Sequence, residues 1–137
     1  MNYRGPALAA WALAQVTKVA THSYRRRRLD LRVLASMGGF PSSHTALVSA
    51  LTTAIGRLNG VASPLFGLAL IFSVVVMYDA AGVRRAAGQQ AAVLNRMIED
   101  FFQHRGLAEQ RLRELLGHTP VEVLAGAAVG VAVGILL

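Results

Sequence analysis

Four apolar stretches with almost no charged residues dominate this sequence, and each of them begins with a proline. Proline suits the first turn of a helix and little else within one, because it lacks an N–H and has a fixed φ. The stretches lie over residues 6–23, 41–58, 64–81 and 120–137. With the second stretch counted to Gly56 or to residue 58, they are about 16 to 18 residues long, or roughly 24 to 27 Å of helix, at the short end for a hydrocarbon core of about 30 Å. The pattern predicts an all-α, polytopic membrane bundle of four short transmembrane helices.

Composition and charge placement exclude several other classes of protein. The chain of 137 residues has a mean hydropathy of +0.45 and no cysteine, which excludes a disordered tail and a disulfide-rich secreted module. A net charge of +7 would suggest a nucleic-acid partner in a water-soluble protein. The basic residues are confined to the connections, however, so we expect no nucleic-acid partner. A soluble bundle with buried helices is the alternative, and the absence of a polar face over 65–77 and 129–137 argues against it.

The two basic connections predict the orientation in the membrane. Eleven arginines follow the first and the third apolar stretch: Arg25, Arg26, Arg27, Arg28, Arg32, Arg84, Arg85, Arg96, Arg105, Arg111 and Arg113. The positive-inside rule places both connections in the cytoplasm and both termini outside. We therefore expect one integral membrane domain over 1–137, in the inner (plasma) membrane of the cell. The connection over 83–118 keeps apolar residues at helical spacing, which predicts two cytoplasmic amphipathic helices along the membrane surface or over the bundle's ends.

Unusual ionisable residues lie near the same predicted membrane face in all four apolar stretches. These residues are Lys18, His44, Asp79, His118 and Glu122. Ionisable groups within membrane segments are costly and indicate function by default. Their convergence on the cytoplasmic side predicts a single basic, histidine-bearing site.

The chemistry of these residues favours phosphate as the ligand. Residues 38–44 form a glycine-rich turn that leads into a helix start, where free N–H groups and the hydroxyls of Ser42 and Ser43 suit phosphoryl oxygens. Arg84 and Arg85 follow the third stretch and offer planar forks for the same oxygens. No two histidines have the short spacing of metal ligands, so we predict no metal site.

Three blocks of sequence, over 38–44, 78–88 and 116–123, resemble the divergent, short branch of the type 2 phosphatidic acid phosphatase superfamily. That superfamily is related to bacterial acid phosphatases and vanadium haloperoxidases. Its first motif is a lysine, six residues, then Arg-Pro, and Lys18 and Arg25 have this spacing with Arg26 in place of proline. Its second motif, Pro-Ser-Gly-His, is similar to residues 41–44, with Ser43 in place of glycine.

The third superfamily motif contains a nucleophilic histidine and, four residues later, an aspartate. His118 and Glu122 resemble this half of the motif. The motif's arginine is displaced, since Arg113 is one residue too close to His118 and Arg111 one too far. The resemblance therefore leaves Arg84 or Arg85 as the phosphate-binding arginine.

The resemblance implies a membrane phosphatase that hydrolyses a lipid phosphate or polyprenyl (di)phosphate through a phosphohistidine, without a metal or other cofactor. His118 would attack phosphorus, His44 would protonate the leaving oxygen, and Glu122 would orient His118. The phosphate-binding group would comprise Lys18, Ser42, Ser43, Arg84, Arg85 and Arg25. Asp79 and Gly39 would support these residues.

Each of these residues also has a structural interpretation. Glu122 fits a capping box with Thr119, and Lys18 can extend from the first helix to the headgroups. His118 can be an interfacial histidine, His44 a polar helix-start residue, and Asp79 an ion-pair partner of Arg84 or Arg85.

Two other function classes stay open. One is a non-catalytic lipid-phosphate sensor or carrier. The other is a structural membrane subunit, for which the last helix offers a small-residue face: Gly126, Ala127, Ala128, Gly130 and Gly134. Such a face packs closely within a bundle or across a homodimer.

Overall fold

The computed structural model describes residues 2–27, 34, 39–103 and 117–137. These residues form five helices and no strand, which confirms the all-helical fold class. The helices are α1 (Arg4–Arg26), α2 (Ser43–Asn59), α3 (Pro64–Ala81), α4 (Val83–Gln103) and α5 (Pro120–Leu136).

Local signals determine where three of these helices begin. Ser63 and Thr119 are the N-caps of α3 and α5, and a proline follows each cap in the first turn. The side chain of Ser42 caps α2. Pro41 therefore precedes the α2 cap, whereas Pro6 lies inside the first turn of α1. The four prolines thus mark helix starts at slightly different positions.

Helix α2 is the centre of the fold and packs against α1, α3 and α5. The core around it consists of small side chains: Ala10 and Ala14 from α1, and Ala46 and Ala50 from α2. Val129 and Val133 of α5 pack against this group. Small side chains let the helix backbones approach closely, which compensates for the shortage of large buried residues.

The closest approach is that of α5 to α2, and three glycines permit it. A Cβ at Gly126 would collide with the carbonyl oxygen of Ser42, and one at Gly130 with that of Ala46. A Cβ at Gly134 would lie 2.7 Å from Thr53 Cβ. The glycine face of α5 is therefore occupied within the chain, so it offers no support for a homodimer, which stays a prediction.

Hydroxyl groups join α2 to α3. Thr52 Oγ1 lies 2.7 Å from Ser73 Oγ, and Ser73 Oγ donates to the carbonyl oxygen of Val48 at 3.1 Å. Both side chains are buried. These bonds explain why polar residues occur inside otherwise apolar stretches.

Four transmembrane helices are not confirmed by helix length and hydropathy. In the described ranges, only the helical stretch Pro64–Glu99, which contains α3 and most of α4, is long and apolar enough to cross a membrane. Pro120–Leu136 is apolar but shorter. Helix α2 is rich in serine and threonine, and α1 carries Lys18 within its length and arginines at both ends. These polar groups lower the hydropathy of α1 and α2.

The predicted amphipathic connection over 83–118 is described in part. Its first segment is α4, on which Val93, Leu94, Met97 and Phe101 are exposed. Within the described ranges α4 packs against α3. The second predicted helix, with Leu112, Leu115 and Leu116, lies outside the described residues.

We predict that Gly130→Ala lowers the free energy of unfolding by about 1 to 3 kcal/mol, because the new Cβ meets backbone atoms of α2 that cannot rotate away. Gly67→Ala in α3 is the matched control, since no atom lies within 4 Å of that Cβ. It should be neutral or stabilising by up to about 1 kcal/mol. Thermal unfolding of the purified protein in detergent measures both, and equal effects would contradict the close contact of α5 with α2.

Candidate functional site

Two backbone hydrogen bonds bring three separate parts of the chain together. The N–H of Ser42, at the start of α2, donates to the carbonyl oxygen of Glu122 at 3.0 Å. The N–H of His118 donates to the carbonyl oxygen of Ala80, near the end of α3, at 3.1 Å. The segment before α5 is therefore fixed beside the start of α2 and the end of α3.

His118 lies at the centre of this junction and is only 1% exposed. Its Nδ1 lies 3.4 Å from Glu122 Oε2. Its Nε2 is buried and, within the described part of the chain, has no hydrogen-bond partner. The His44 ring stands edge-on to the His118 ring, with 6.2 Å between the ring centroids. One nitrogen of His118 thus contacts a carboxylate, and the other is buried without a partner among the described residues.

The carboxylate of Glu122 contacts both the helix cap and the His118 ring. Its Oε2 accepts a hydrogen bond from the N–H of Thr119 at 2.9 Å, and Thr119 Oγ1 accepts from the N–H of Glu122 at 3.3 Å. The predicted capping box is therefore confirmed. Because the same Oε2 contacts His118, the first turn of α5 also fixes the orientation of the imidazole.

The surroundings of His118 favour its neutral form. Burial lowers the pKa of His118 below its usual value, because the charged form loses hydration. The hydrogen bond and charge of Glu122 raise this pKa, while the charges of His44 and Lys18 lower it. A neutral ring that donates its Nδ1 proton to Glu122 has a lone pair on Nε2.

Lys18 belongs to the same site, although it comes from α1. Its side chain is buried, at 3% exposed, and lies close enough to Glu122 for their charges to interact. Of the two predicted locations, the structure shows Lys18 inside the bundle and not extended to the surface. Gly39, in the turn before α2, lies directly against the Lys18 side chain.

The start of α2 contributes Ser42, Ser43 and His44. Ser42 and Ser43 are buried, whereas His44 is exposed. Ser42 Oγ accepts hydrogen bonds from the N–H of Thr45 at 3.4 Å and from Thr45 Oγ1 at 3.0 Å. The Ser42 N–H and Oγ are thus both engaged in positioning α2.

The predicted arginine ligands have backbone positions but no described side chains. Arg25 lies in the last turn of α1, and Arg84 and Arg85 lie in the first turn of α4. Their side chains lie outside the described part of the structure. Asp79 is half-buried in the last turn of α3, next to the Ala80 carbonyl that holds His118. Among the described residues, no cluster of three or more histidine or acidic side chains could hold a metal ion.

Comparison with known proteins identifies the family. A model of the divergent PAP2 family matches residues 5–133. The chain belongs to the divergent PAP2 family. The resemblance found from the three motif blocks is thereby confirmed.

A relative from Bacillus subtilis matches the chain over nearly its whole length. YuiD of Bacillus subtilis (strain 168), described as an uncharacterized membrane protein, is 41% identical over 141 residues. The match covers 95% of this chain and 89% of the relative. No solved structure matches the chain.

Three threonines of this divergent PAP2 chain contribute to the site without having been predicted from the sequence as site residues. Thr119 caps α5 and fixes Glu122, and Thr45 bonds to the α2 cap. Thr21 Oγ1 lies 3.2 Å from the carbonyl oxygen of Phe40, which joins α1 to the turn before α2. Only Thr119 has a sequence signal, the capping box, because Thr21 and Thr45 act through contacts that no motif spacing encodes.

We predict that Glu122→Gln lowers the pKa of His118 further, because the hydrogen bond to a carboxylate and its negative charge both raise that pKa in the wild type. Glutamine still offers an oxygen to the Thr119 N–H, so the helix cap is retained. An NMR titration of the histidine ring resonances measures the change, with Glu99→Gln on α4 as the control. A raised or unchanged His118 pKa in Glu122→Gln would contradict the contact with Glu122.

Proposed function

We propose that this chain is a membrane phosphatase that hydrolyses a lipid phosphate or a polyprenyl (di)phosphate through a phosphohistidine intermediate. The observation that carries the proposal is the state of His118. Its Nδ1 contacts Glu122, its Nε2 has no partner among the described residues, and Lys18 and His44 lie beside it. Membership in the divergent PAP2 family supports the same reaction class.

The exposed surface of α3 supports a membrane location. Leu68 and Ile71 are 67% and 66% exposed, and they belong to a longer row of exposed apolar side chains on this helix: Leu65, Leu70, Phe72, Val74 and Val75. A hydrated apolar surface of this size is unfavourable, whereas lipid covers it without cost. The relative YuiD is described as a membrane protein.

The proposed membrane topology uses α1, α2, α3 and α5 as four short spans. Helix α2 packs against the other three helices, and its Thr52 bonds to Ser73 of α3. A helix surrounded by protein in this way can span a membrane with a low mean hydropathy. The arginine-rich connections support a topology with both termini outside and the site at the cytoplasmic face of the inner (plasma) membrane.

In the first step of the proposed reaction, His118 Nε2 attacks the phosphorus atom. An N–P bond forms, the bond from phosphorus to the leaving oxygen breaks, and His44 donates a proton to that oxygen. Glu122 holds the Nδ1 proton and stabilises the positive charge that develops on the imidazole. In the second step, water attacks the phosphorus atom and gives its proton to His44, the N–P bond breaks, and inorganic phosphate leaves as His118 is regenerated.

The charge on the transferred phosphoryl group is neutralised by side chains of this chain. Lys18 is already buried beside Glu122 and His118, and the first turn of α2 offers Ser43 and backbone N–H groups. Arg25, Arg84 and Arg85 are the proposed arginine ligands. Preorganised cations of this kind supply most of the gain in phosphoryl transfer, and the proposal assigns no step to a metal.

A non-catalytic lipid-phosphate sensor or carrier is the second candidate. The burial of His118 favours it, because a nucleophile that solvent cannot reach requires the site to open before a phosphate can enter. The glycine face of α5 was the observation that favoured a structural subunit. This face packs on α2 and so no longer favours that role.

We predict that detergent-purified protein releases inorganic phosphate from lipid phosphates in the presence of a chelator, and that His118→Ala lowers the rate by a factor on the order of 10³ or more, because the nucleophile is lost. His104→Ala, outside the three motif blocks, is the matched control and should keep the wild-type rate. Comparable rates for His118→Ala and wild type would overturn the nucleophile assignment. Lipid binding without turnover by the wild type would favour the sensor or carrier.

We also predict that His44→Ala lowers the rate by a factor on the order of 10² to 10⁴, because the leaving oxygen would depart without a proton. The loss should be smaller for a substrate whose leaving group is a stronger acid, such as an aryl phosphate. A loss of less than tenfold for both substrates would show that His44 only shapes the start of α2.

A further inference from the structure

The turn before α2 presses on the side chain of Lys18. Gly39 has a φ of +110°, and a Cβ added to it would lie 2.8 Å from Lys18 Cε, 3.3 Å from Cγ and 3.6 Å from Cδ. All three nearest atoms belong to this one side chain. The Gly39 backbone therefore lies along the methylene chain of Lys18, and a larger residue there would displace that side chain.

A hydrogen bond joins the same two segments one turn further along α1. Thr21 Oγ1 lies 3.2 Å from the carbonyl oxygen of Phe40 and 3.0 Å from that of Lys18, so its hydroxyl can donate to either. Thr21 and Phe40 follow Lys18 and Gly39 in their respective segments. The turn is thus bonded to α1 next to the point where Gly39 meets Lys18.

These contacts restrict a side chain that would otherwise move freely. A lysine has four rotatable bonds, and near a membrane surface its ammonium group tends to extend to the headgroups. Lys18 is instead 3% exposed, and its charge interacts with Glu122 and acts on His118.

We propose that Gly39 and Thr21 are positioning residues that keep the Lys18 ammonium group beside His118 and Glu122. Gly39 supplies the space for the methylene chain, and Thr21 holds the turn against α1. That this ammonium group then receives phosphoryl oxygens rests on the proposed function, whereas its placement does not.

The position of Lys18 can be measured directly, because it is the single lysine of the chain. An amine-acylating reagent applied to the full-length protein in detergent modifies Lys18 and the N-terminal amine, and peptide mass mapping separates the two. We expect Gly39→Ala to raise the rate of Lys18 acylation about tenfold, because the flexible lysine gives way to the new Cβ and reaches solvent. The acylation rate at Lys18 is the primary readout.

The chain offers a matched control for the backbone strain of this substitution. Gly60 also has a positive φ, +84°, and no atom lies within 4 Å of a Cβ built on it. Gly60→Ala therefore carries a left-handed backbone penalty without touching a lysine. Acylation of Lys18 should match the wild type in Gly60→Ala. An unchanged rate in Gly39→Ala, or an equal rise in both variants, overturns the role of Gly39.

A second pair of variants keeps the test valid if Gly39→Ala does not fold. Thr21→Val preserves the side-chain shape and removes the hydroxyl, so we expect faster Lys18 acylation in the same direction. Thr17→Val is its control, because Thr17 Oγ1 donates to Leu13 within α1 at 2.8 Å. Equal acylation rates in these two variants would overturn the role of Thr21.

The activity of the same variants separates this proposal from the proposed function. If the positioning acts through Lys18, the single substitution Gly39→Ala lowers turnover. In protein that already carries Lys18→Ala, adding Gly39→Ala lowers turnover no more than adding Gly60→Ala does. Faster Lys18 acylation in Gly39→Ala, in a protein that shows no turnover, would uphold the positioning and overturn the phosphatase. Full turnover with an unchanged rate of Lys18 acylation in Gly39→Ala would overturn the positioning and uphold the phosphatase.

Discussion

The close approach of α5 to α2 is the contact on which the rest of the structure depends. Gly126, Gly130 and Gly134 allow the two helix backbones to touch, and a side chain at Gly126 or Gly130 would meet backbone atoms of α2. At one end of this contact, the Ser42 N–H donates to the Glu122 carbonyl. The two helix starts therefore meet, and the His44 ring stands edge-on to the His118 ring beside this junction.

Two residues that cap helices also make contacts within the site. Glu122 closes the capping box of α5 and contacts the His118 ring with the same oxygen. Ser42 caps α2 and connects its backbone to α5. A site built on helix ends in this way is preorganised, because the side chains that orient His118 are already fixed by secondary structure. Lys18 is the exception, since it reaches the site from the middle of α1 and needs contacts with the turn before α2.

Local signals made much of this arrangement predictable from the sequence. The caps at Ser63 and Thr119 and the capping box with Glu122 depend on residues three positions apart, and the structure has all of them. The motif blocks indicated the family, and the residues at the ends of the apolar stretches indicated which side chains meet. The contacts of Gly39 with Lys18 and of Thr21 with Phe40 join residues 19 or more positions apart, so they follow from tertiary packing and not from any motif. Helix α2 shows the same limit for hydropathy, because the buried Thr52 lowers the hydropathy of the helix yet is bonded to Ser73 of α3.

Capture of the phosphorylated enzyme tests whether His118 is the nucleophile. The wild-type protein is mixed with a lipid phosphate labelled in its phosphoryl group, quenched in alkali within the first turnover, and mapped by peptide mass spectrometry. We expect an alkali-stable, acid-labile phosphoryl group on His118 of the wild type and none on the His118→Ala protein. Turnover with no label on His118, or with label on another residue, would contradict the nucleophile role of His118.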